Sequence, residues 1–182
     1  MKLIIAITGA SGGGLALKLI KNLPTDIKPY IVMSNSAKTA IQAEENRDYF
    51  DELKGLELFD DSDIAAPIAS GSFGCDAMIV VPCSMNTLAK CSVGIADTLI
   101  TRAFSVMLKE KKRVILAPRE MPLSSISLEN MLKLSNLGVI IAPPIAGYYS
   151  NQHSLEDMER FFIGKWFDLL EIENDLYKRW KV

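Results

Sequence analysis

Four short groups of residues carry most of the polar chemistry of this 182-residue chain. The first, Thr8-Gly9-Ala10-Ser11-Gly12-Gly13-Gly14, is a glycine loop with two hydroxyls. Its bare N–H groups, with the positive end of a following helix, suit an anion and most often a phosphate. The second, Ser84-Met85-Asn86-Thr87, again offers hydroxyl and amide groups where a helix opens. The third is the pair Arg102 and Lys109, which share a helix stripe with Ser105 and lie ~10 Å apart along the axis at 1.5 Å per residue. Basic residues at a helix C-terminus are ordinary for Lys109, but Arg102 sits two turns earlier. The fourth is Arg119-Glu120, held between Pro118 and Pro122 at the end of a strand. It reads either as a structural ion pair or as a rigid charged device of a site.

The glycine loop is not a dinucleotide fingerprint. Ser11 stands where G-x-G-x-x-G needs its second glycine, and the second strand ends Met33-Ser34-Asn35 without an acid for a ribose. No G-x-x-x-x-G-K-[ST] occurs either. Ser11 instead offers a hydroxyl to a ligand, while a tight turn without a ligand is the plainer reading of the loop alone.

The elements that must position these groups follow from periodicity. Leu3–Ile7 is an apolar strand, and Ala16, Leu19, Ile20 and Leu23 behind the loop have helical spacing. Tyr30–Met33 is a second strand whose Ser34-Asn35-Ser36 caps a helix with Ala37, Ala40, Ile41 and Glu44 on one stripe. Glu44 there means a helix end tilting into solvent or a role in the site. Further strands are expected at Gly55–Phe59, Ala77–Val81, Val114–Ala117 and Val139–Ala142. Residues 69–74 read as a flexible small-residue stretch. A helix is expected over Ile95–Lys109, and another buries Leu128, Met131 and Leu132 before Gly138. Pro143–Tyr149 brings two tyrosines to the same edge, and Ser154-x-x-Asp157 opens the last long helix. On that helix Lys165 interrupts the stripe Met158, Phe161, Phe162, Leu169, so it must snorkel or meet an anion. The pattern predicts an α/β fold, a three-layer Rossmann-like domain with a six-stranded parallel sheet ordered 3-2-1-4-5-6. Ligands then bind beyond the carboxyl ends of strands one and four. The whole chain, 1–182, is expected to form one domain with a short C-terminal helical tail.

Bulk properties exclude several classes. With 49% hydrophobic residues disorder is not a candidate, and a net charge of −2 argues against nucleic acid. No apolar run approaches the ~20 residues of a membrane span, and the one at the N-terminus is too short for a signal peptide. Cys75, Cys83 and Cys91 have no metal-binding spacing, which suits core thiols in a reducing cytoplasm. His153 is the only histidine and falls in a polar turn, against a histidine triad or a multi-histidine metal site. Asp60-Asp61-Ser62-Asp63 reads as a solvated loop rather than a magnesium site, so no metal is expected.

Taken together, the motifs resemble the flavin prenyltransferases of the UbiX type. The matching pieces are Thr8-Gly9-Ala10-Ser11-Gly12, Ser70-Gly71-Ser72-Phe73, Val81-Pro82-Cys83-Ser84, Thr101-Arg102-Ala103, Leu108-Lys109-Glu110, Pro118-Arg119-Glu120-x-Pro122, Asn130-Met131, Tyr149 and Arg179-Trp180. They run in the family's order along essentially the whole chain. Departures are Leu15 where relatives often have Tyr, Gly13 and Gly14 in a looser first loop, and Lys165 where relatives often carry Arg. The resemblance implies a cytoplasmic homo-oligomer, a dodecamer, that binds FMN at subunit interfaces. It implies transfer of a dimethylallyl group from dimethylallyl phosphate to N5 of reduced FMN, with ring closure at C6, without a metal. The product, prenylated FMN, would serve UbiD-type decarboxylases, for instance in ubiquinone synthesis. Gly9, Ala10, Ser11, Ser34, Ser84, Met85, Asn86, Thr87 and Arg119 would hold the flavin. Glu44, Arg102, Lys109, Tyr149 and Lys165 would surround the prenyl phosphate, and Ser11, Lys109 and Glu120 would be catalytic, Glu120 handling protons. Two rivals stand beside this: a flavin-dependent cysteine decarboxylase, which would need a histidine near the flavin, and a non-catalytic FMN carrier or assembly partner of a decarboxylase.

Overall fold

The computed structural model describes residues 1–45 and 49–181. Six parallel strands, β1 (Lys2–Ile7), β2 (Lys28–Met33), β3 (Glu57–Asp60), β4 (Ala77–Cys83), β5 (Arg113–Pro118) and β6 (Ile140–Ile141), form one sheet in the predicted order β3-β2-β1-β4-β5-β6. β4 is buried at every residue and β1 at every residue after Lys2. A parallel strand covered on both faces has no polar side to alternate with, so both read as unbroken apolar runs. The strand period of two divides each run between two cores. Leu3, Ile5, Ile7, Ile31, Ile79 and Ile115 face one core, and Ile4, Ala6, Val32, Met78, Val80 and Leu116 face the other.

Helix α1 (Gly13–Lys21), α2 (Asn35–Glu45), α3 (Tyr49–Leu53) and α7 (Leu155–Leu169) close the first core, where Trp166 and Phe167 are the largest buried side chains. α4 (Met85–Val93) and α5 (Leu99–Lys109) close the second, and α6 (Ser125–Asn136) adds Leu134 at its edge. Side chains set the helix starts. Ser34 accepts from Ala37 N at 3.1 Å, Ser84 from Thr87 N at 3.3 Å and Ser124 from Ser127 N at 3.1 Å. Ser154 and Asp157 form the expected capping box.

Several boundaries differ from the sequence reading, each for a local reason. The helix expected from Ile95 begins at Leu99, because Gly94 at φ +77° ends α4 and Thr98 with Thr101 caps the next helix. The third strand starts two residues late, at Glu57. Residues 67–73 are two single 3-10 turns rather than free chain, held from β1 by Lys2 Nζ donating to Phe73 O at 2.9 Å. Gly13 and Gly14 belong to the first turn of α1 and are buried, not part of a loose loop. A Cβ on Gly13 would meet Ile41 Cγ1 at 2.2 Å, so the glycine lets α2 pack directly on α1.

α6 shows the largest difference. Leu128 and Leu132 are 51% and 63% exposed, Ile126 69%, while Ser127 and Leu134 face inward. The helix presents an apolar face to the outside of its own chain.

The three thiols are core residues as read. Burial pushes Cys75 up to about 11 and Cys91 up to about 12, and holds Cys83 well above the ordinary thiol value, so none is poised as a thiolate. Among the described residues no helix is long and apolar enough to cross a membrane, and no three metal-ligating side chains cluster.

Candidate functional site

A cavity of about 680 Å³ opens beyond the carboxyl ends of β1, β2 and β4, where the strand order reverses. This lies within the ~300–1,000 Å³ of small-molecule sites. Thr8 ties its two main loops together: its hydroxyl donates to Pro82 O at 2.7 Å and accepts from Ser84 N at 2.8 Å. The first bond is buried and the second partly so, and together they tie the glycine loop to the α4 N-terminus. Gly9 lies where the α2 N-terminus crosses the loop, and a Cβ there would meet Ser36 Cβ at 2.4 Å and Ser36 C at 3.1 Å. The lining is rich in hydroxyl and amide groups with the N-terminal turns of α2, α4 and α5 around it. That set of donors suits a phosphate ester.

Of the residues read from the sequence, Gly9, Ser34, Ser84, Asn86 and Thr87 line this cavity. Ala10 is buried behind the loop, and Ser11 and Met85 are partly buried at its margin without lining it. Glu44 reaches the same loop: its carboxylate accepts from Gly12 N at 2.9 Å, at the α1 N-terminus. The exposed acid on the helix stripe therefore has a definite contact, an anion at a helix's positive end.

The sequence reading missed two contributors, Lys90 and Asp61. Lys90 lines the cavity one turn beyond Thr87, held by Asp97 at 2.7 Å, and the Lys90 ammonium keeps the Asp97 carboxyl below the usual range. The signal was available, since Thr87 and Lys90 share a helix face. Asp61 also lines it, and its carboxylate accepts from Ile100 N at 2.8 Å while its carbonyl accepts from Leu99 N at 2.8 Å. The acidic loop thus docks the start of α5. Its neighbours are engaged too, Asp60 with Ser62 and with Lys38 at 2.9 Å and Asp63 with Ala65 N at 3.2 Å.

The other predicted residues lie elsewhere. Arg119 N donates to Cys83 O at 3.3 Å, so the Arg119-Glu120 pair stands next to the end of β4. Both side chains line a second hollow of about 690 Å³ with Met121, Leu128, Met131 and Ile145. A third hollow, about 160 Å³, adjoins it through Pro143 and Ile145. Phe161, Phe162, Trp166 and Leu169 wall it, and Lys165 is the one charged residue among the described lining. Tyr149 packs edge-on against Phe161, centroids 5.8 Å apart.

Arg102 and Lys109 point outward from α5. Arg102 Nε donates to Ala69 O at 3.2 Å, and Lys109 pairs with Glu110, whose carboxylate backs onto Gly71. Lys109 ends the helix that feeds the start of β5, whereas Glu120 follows the end of β5. Six residues of strand at ~3.3 Å each put about 20 Å between those ends. One chain does not bring these two residues together. His153 bonds Asn151 at 3.0 Å in a separate hollow beside α7.

A family model described as Flavoprotein matches residues 1–167. The chain is 48% identical over 184 residues to a protein named flavin prenyltransferase UbiX from Helicobacter pylori, covering 99% of this chain and 98% of that one. Its fold superposes with TM-score 0.96 and 40% identity on a dodecameric FMN-dependent UbiX-like decarboxylase from Escherichia coli O157:H7, over the full length of both chains. A further solved structure, AnUbiX (PadA1) in complex with FMN and dimethylallyl pyrophosphate, matches with TM-score 0.94 and 37% identity over 100% of this chain and 97% of that one.

Proposed function

The chain belongs to the flavoprotein family and within it to the UbiX flavin prenyltransferases, and on that premise we propose that it joins a dimethylallyl group from dimethylallyl phosphate to reduced FMN. The product is prenylated FMN, made for a decarboxylase of the UbiD type. A cytoplasmic setting suits its three buried free cysteines. The whole chain acts as one flavoprotein-like unit. The observation that carries the reading is Lys165, the one charged residue among the described lining of an apolar, aromatic hollow that adjoins the one lined by Arg119 and Glu120. An allylic phosphate has that shape in chemical terms, an apolar tail on an anion.

The residues present fit FMN. The cavity beyond β1, β2 and β4 offers Ser34, Ser36, Ser84, Asn86 and Thr87, with Lys90 as a cation at its side. Gly9 leaves bare backbone where a side chain would collide with Ser36. Gly9, Ala10, Ser11, Ser34, the Ser84–Thr87 turn and Arg119 would hold it. When bound as the reduced form, the flavin supplies the nucleophile at N5 and closes the ring at C6. Gly9→Ala is expected to force the α2 N-terminus outward at about 1–3 kcal/mol, roughly tenfold or more in FMN affinity. Fluorescence titration of FMN reads this directly, and unchanged affinity would remove the glycine loop from the flavin site.

This chain's residues then have separable tasks. Fixed cations, Arg102, Lys109 and Lys165, stabilise the departing phosphate, charge that grows in the transition state. The apolar walls exclude water from an electron-poor allyl group. Glu120 gives a proton to the leaving phosphate. In the ring closure one carbon of the allyl double bond takes up a proton while the other bonds to the flavin carbon C6, which gives its proton up. Glu120 handles that exchange. Arg102 and Lys109 face away from the cavity of their own chain, so they serve the site of a neighbouring copy. We take the assembly to be a homo-oligomer and, from the dodecameric relative, a dodecamer.

Release of inorganic phosphate from dimethylallyl phosphate tests the activity. It is expected only when reduced FMN is present, and to persist after dialysis against EDTA, because the acidic loop is engaged by Lys38, Ser62, Ala65 and Ile100. A protein that binds FMN and releases no phosphate would be a carrier instead.

Lys165→Ala should raise the KM for dimethylallyl phosphate on the order of tenfold, the worth of a charge-assisted contact. FMN affinity should not change. Lys165→Arg should keep activity, since it keeps the charge. Wild-type dependence on dimethylallyl phosphate in Lys165→Ala would return this residue to the surface.

A further inference from the structure

After α7 the chain turns at Leu170 and Glu171, the latter at φ +59°, and runs back along the helix it has just left. Asn174 Nδ2 reaches Gly164 O at 3.3 Å, Tyr177 lies on Phe161 with centroids 5.1 Å apart, and Trp180 meets Tyr149 at 5.6 Å. Glycine inside a helix is unfavourable, and Gly164 has a specific reason. A Cβ there would come within 2.4 Å of the Tyr177 ring.

One carboxylate ties this returning segment down. Asp168 Oδ1 accepts from Asn174 Nδ2 at 2.9 Å and from Arg179 Nη2 at 2.8 Å. Its Oδ2 accepts from Arg179 Nη1 at 2.9 Å and from the Tyr177 hydroxyl. The forked Arg179 contact fixes direction as well as distance. Burial alone would push the Asp168 carboxyl up, but Arg179, Tyr177 and Asn174 outweigh it and hold it below its ordinary range. The Tyr177 hydroxyl is pushed up to about 12 by burial and by Asp168, so it remains a donor.

The pinned segment ends on two residues of the prenyl-phosphate site. Tyr149 sits between Phe161 and Trp180, and Lys165 Nζ lies 6.0 Å from the centre of the Tyr177 ring. We propose that Asp168 is a positioning residue for dimethylallyl phosphate: by clamping Tyr177 and Arg179 it sets Tyr149 and Lys165 in place without touching the substrate. The inference rests on the reading that Tyr149 and Lys165 meet the prenyl phosphate.

The test compares Asp168→Asn, Arg179→Gln and the double variant with Lys165→Ala, all as the FMN-loaded assembly. KM for dimethylallyl phosphate, kcat, FMN affinity and the rate of tryptic cleavage after Lys178 and Arg179 are read for each, the Arg179→Gln proteins after Lys178 alone. Each single clamp variant should raise KM on the order of tenfold, the worth of a forked charged contact, with kcat and FMN affinity unchanged. The double variant should be no worse than Asp168→Asn alone, since Arg179→Gln then removes a contact already weakened. Faster tryptic release of the tail should accompany the change. If Asp168→Asn does not fold, Arg179→Gln on the exposed tail carries the same test. A freed tail with wild-type KM, while Lys165→Ala raises it, overturns the inference and leaves the site reading standing. If Lys165→Ala also leaves KM unchanged, the site reading falls and the inference with it.

Discussion

Glu120→Gln is expected to lower turnover by ~10²-fold or more, the usual scale for a general acid or base, with FMN binding intact. The substitution is chosen because it keeps the local structure. Glu120 Oε1 accepts from Met121 N at 3.0 Å, a bond that glutamine's carbonyl oxygen can still accept. Pro118 ends β5 opposite Cys83, two residues before Glu120, and Pro122 follows two residues after it, so the backbone carrying the carboxylate is set by neighbours on both sides. Glutamine therefore loses the proton and little else. Single-turnover measurements with reduced FMN and dimethylallyl phosphate check this. Turnover near that of the wild type would reassign Glu120 to structure and leave the proton transfers without a residue.

The second large effect concerns the outer face of α6. Leu128→Asp with Leu132→Asp is expected to break the assembly into smaller species and to reduce turnover by ~10²-fold or more, the scale of losing positioned catalytic groups. The fold of the chain should survive, because both side chains are more than half exposed within it. On the proposal that a second copy covers this face, carboxylates placed there would be left unpaired, which costs several kcal/mol each. Activity falls for a separate reason. Lys109 and Glu120 stand at opposite ends of β5, so in the proposed reaction Lys109 would act in the site of another copy. Light scattering and turnover on the same sample read both effects. A monomer that turns over like the wild type would mean that one chain holds a whole site.

These two predictions also mark where the sequence was legible. The sheet order followed from β1 and β4 reading as unbroken apolar runs, the mark of strands buried on both faces. Five of the proposed flavin residues line one cavity because they sit at strand ends, and strand ends in such a sheet converge. Glu44 stood out on the apolar stripe of α2, and its contact with Gly12 gives that position a purpose. On α6 the apolar spacing of Leu128 and Leu132 announced a covered face, yet periodicity does not say which molecule covers it. The spacing of Arg102 and Lys109 likewise gave their shared stripe and not which copy's site they would serve. Lys90 and Asp61 escaped notice because a helix-face lysine and an aspartate in a polar turn look like solvated surface until the third dimension closes over them.

The measurement that bears most directly on the whole account is the mass of the flavin after reaction. Purified protein is incubated without oxygen with reduced FMN and dimethylallyl phosphate, then denatured, and the released flavin is weighed by mass spectrometry. The account predicts a flavin heavier than the reduced FMN supplied by one dimethylallyl group less one hydrogen, with an equal amount of phosphate set free. Recovery of unmodified FMN alone, from protein shown to bind both compounds, would contradict it.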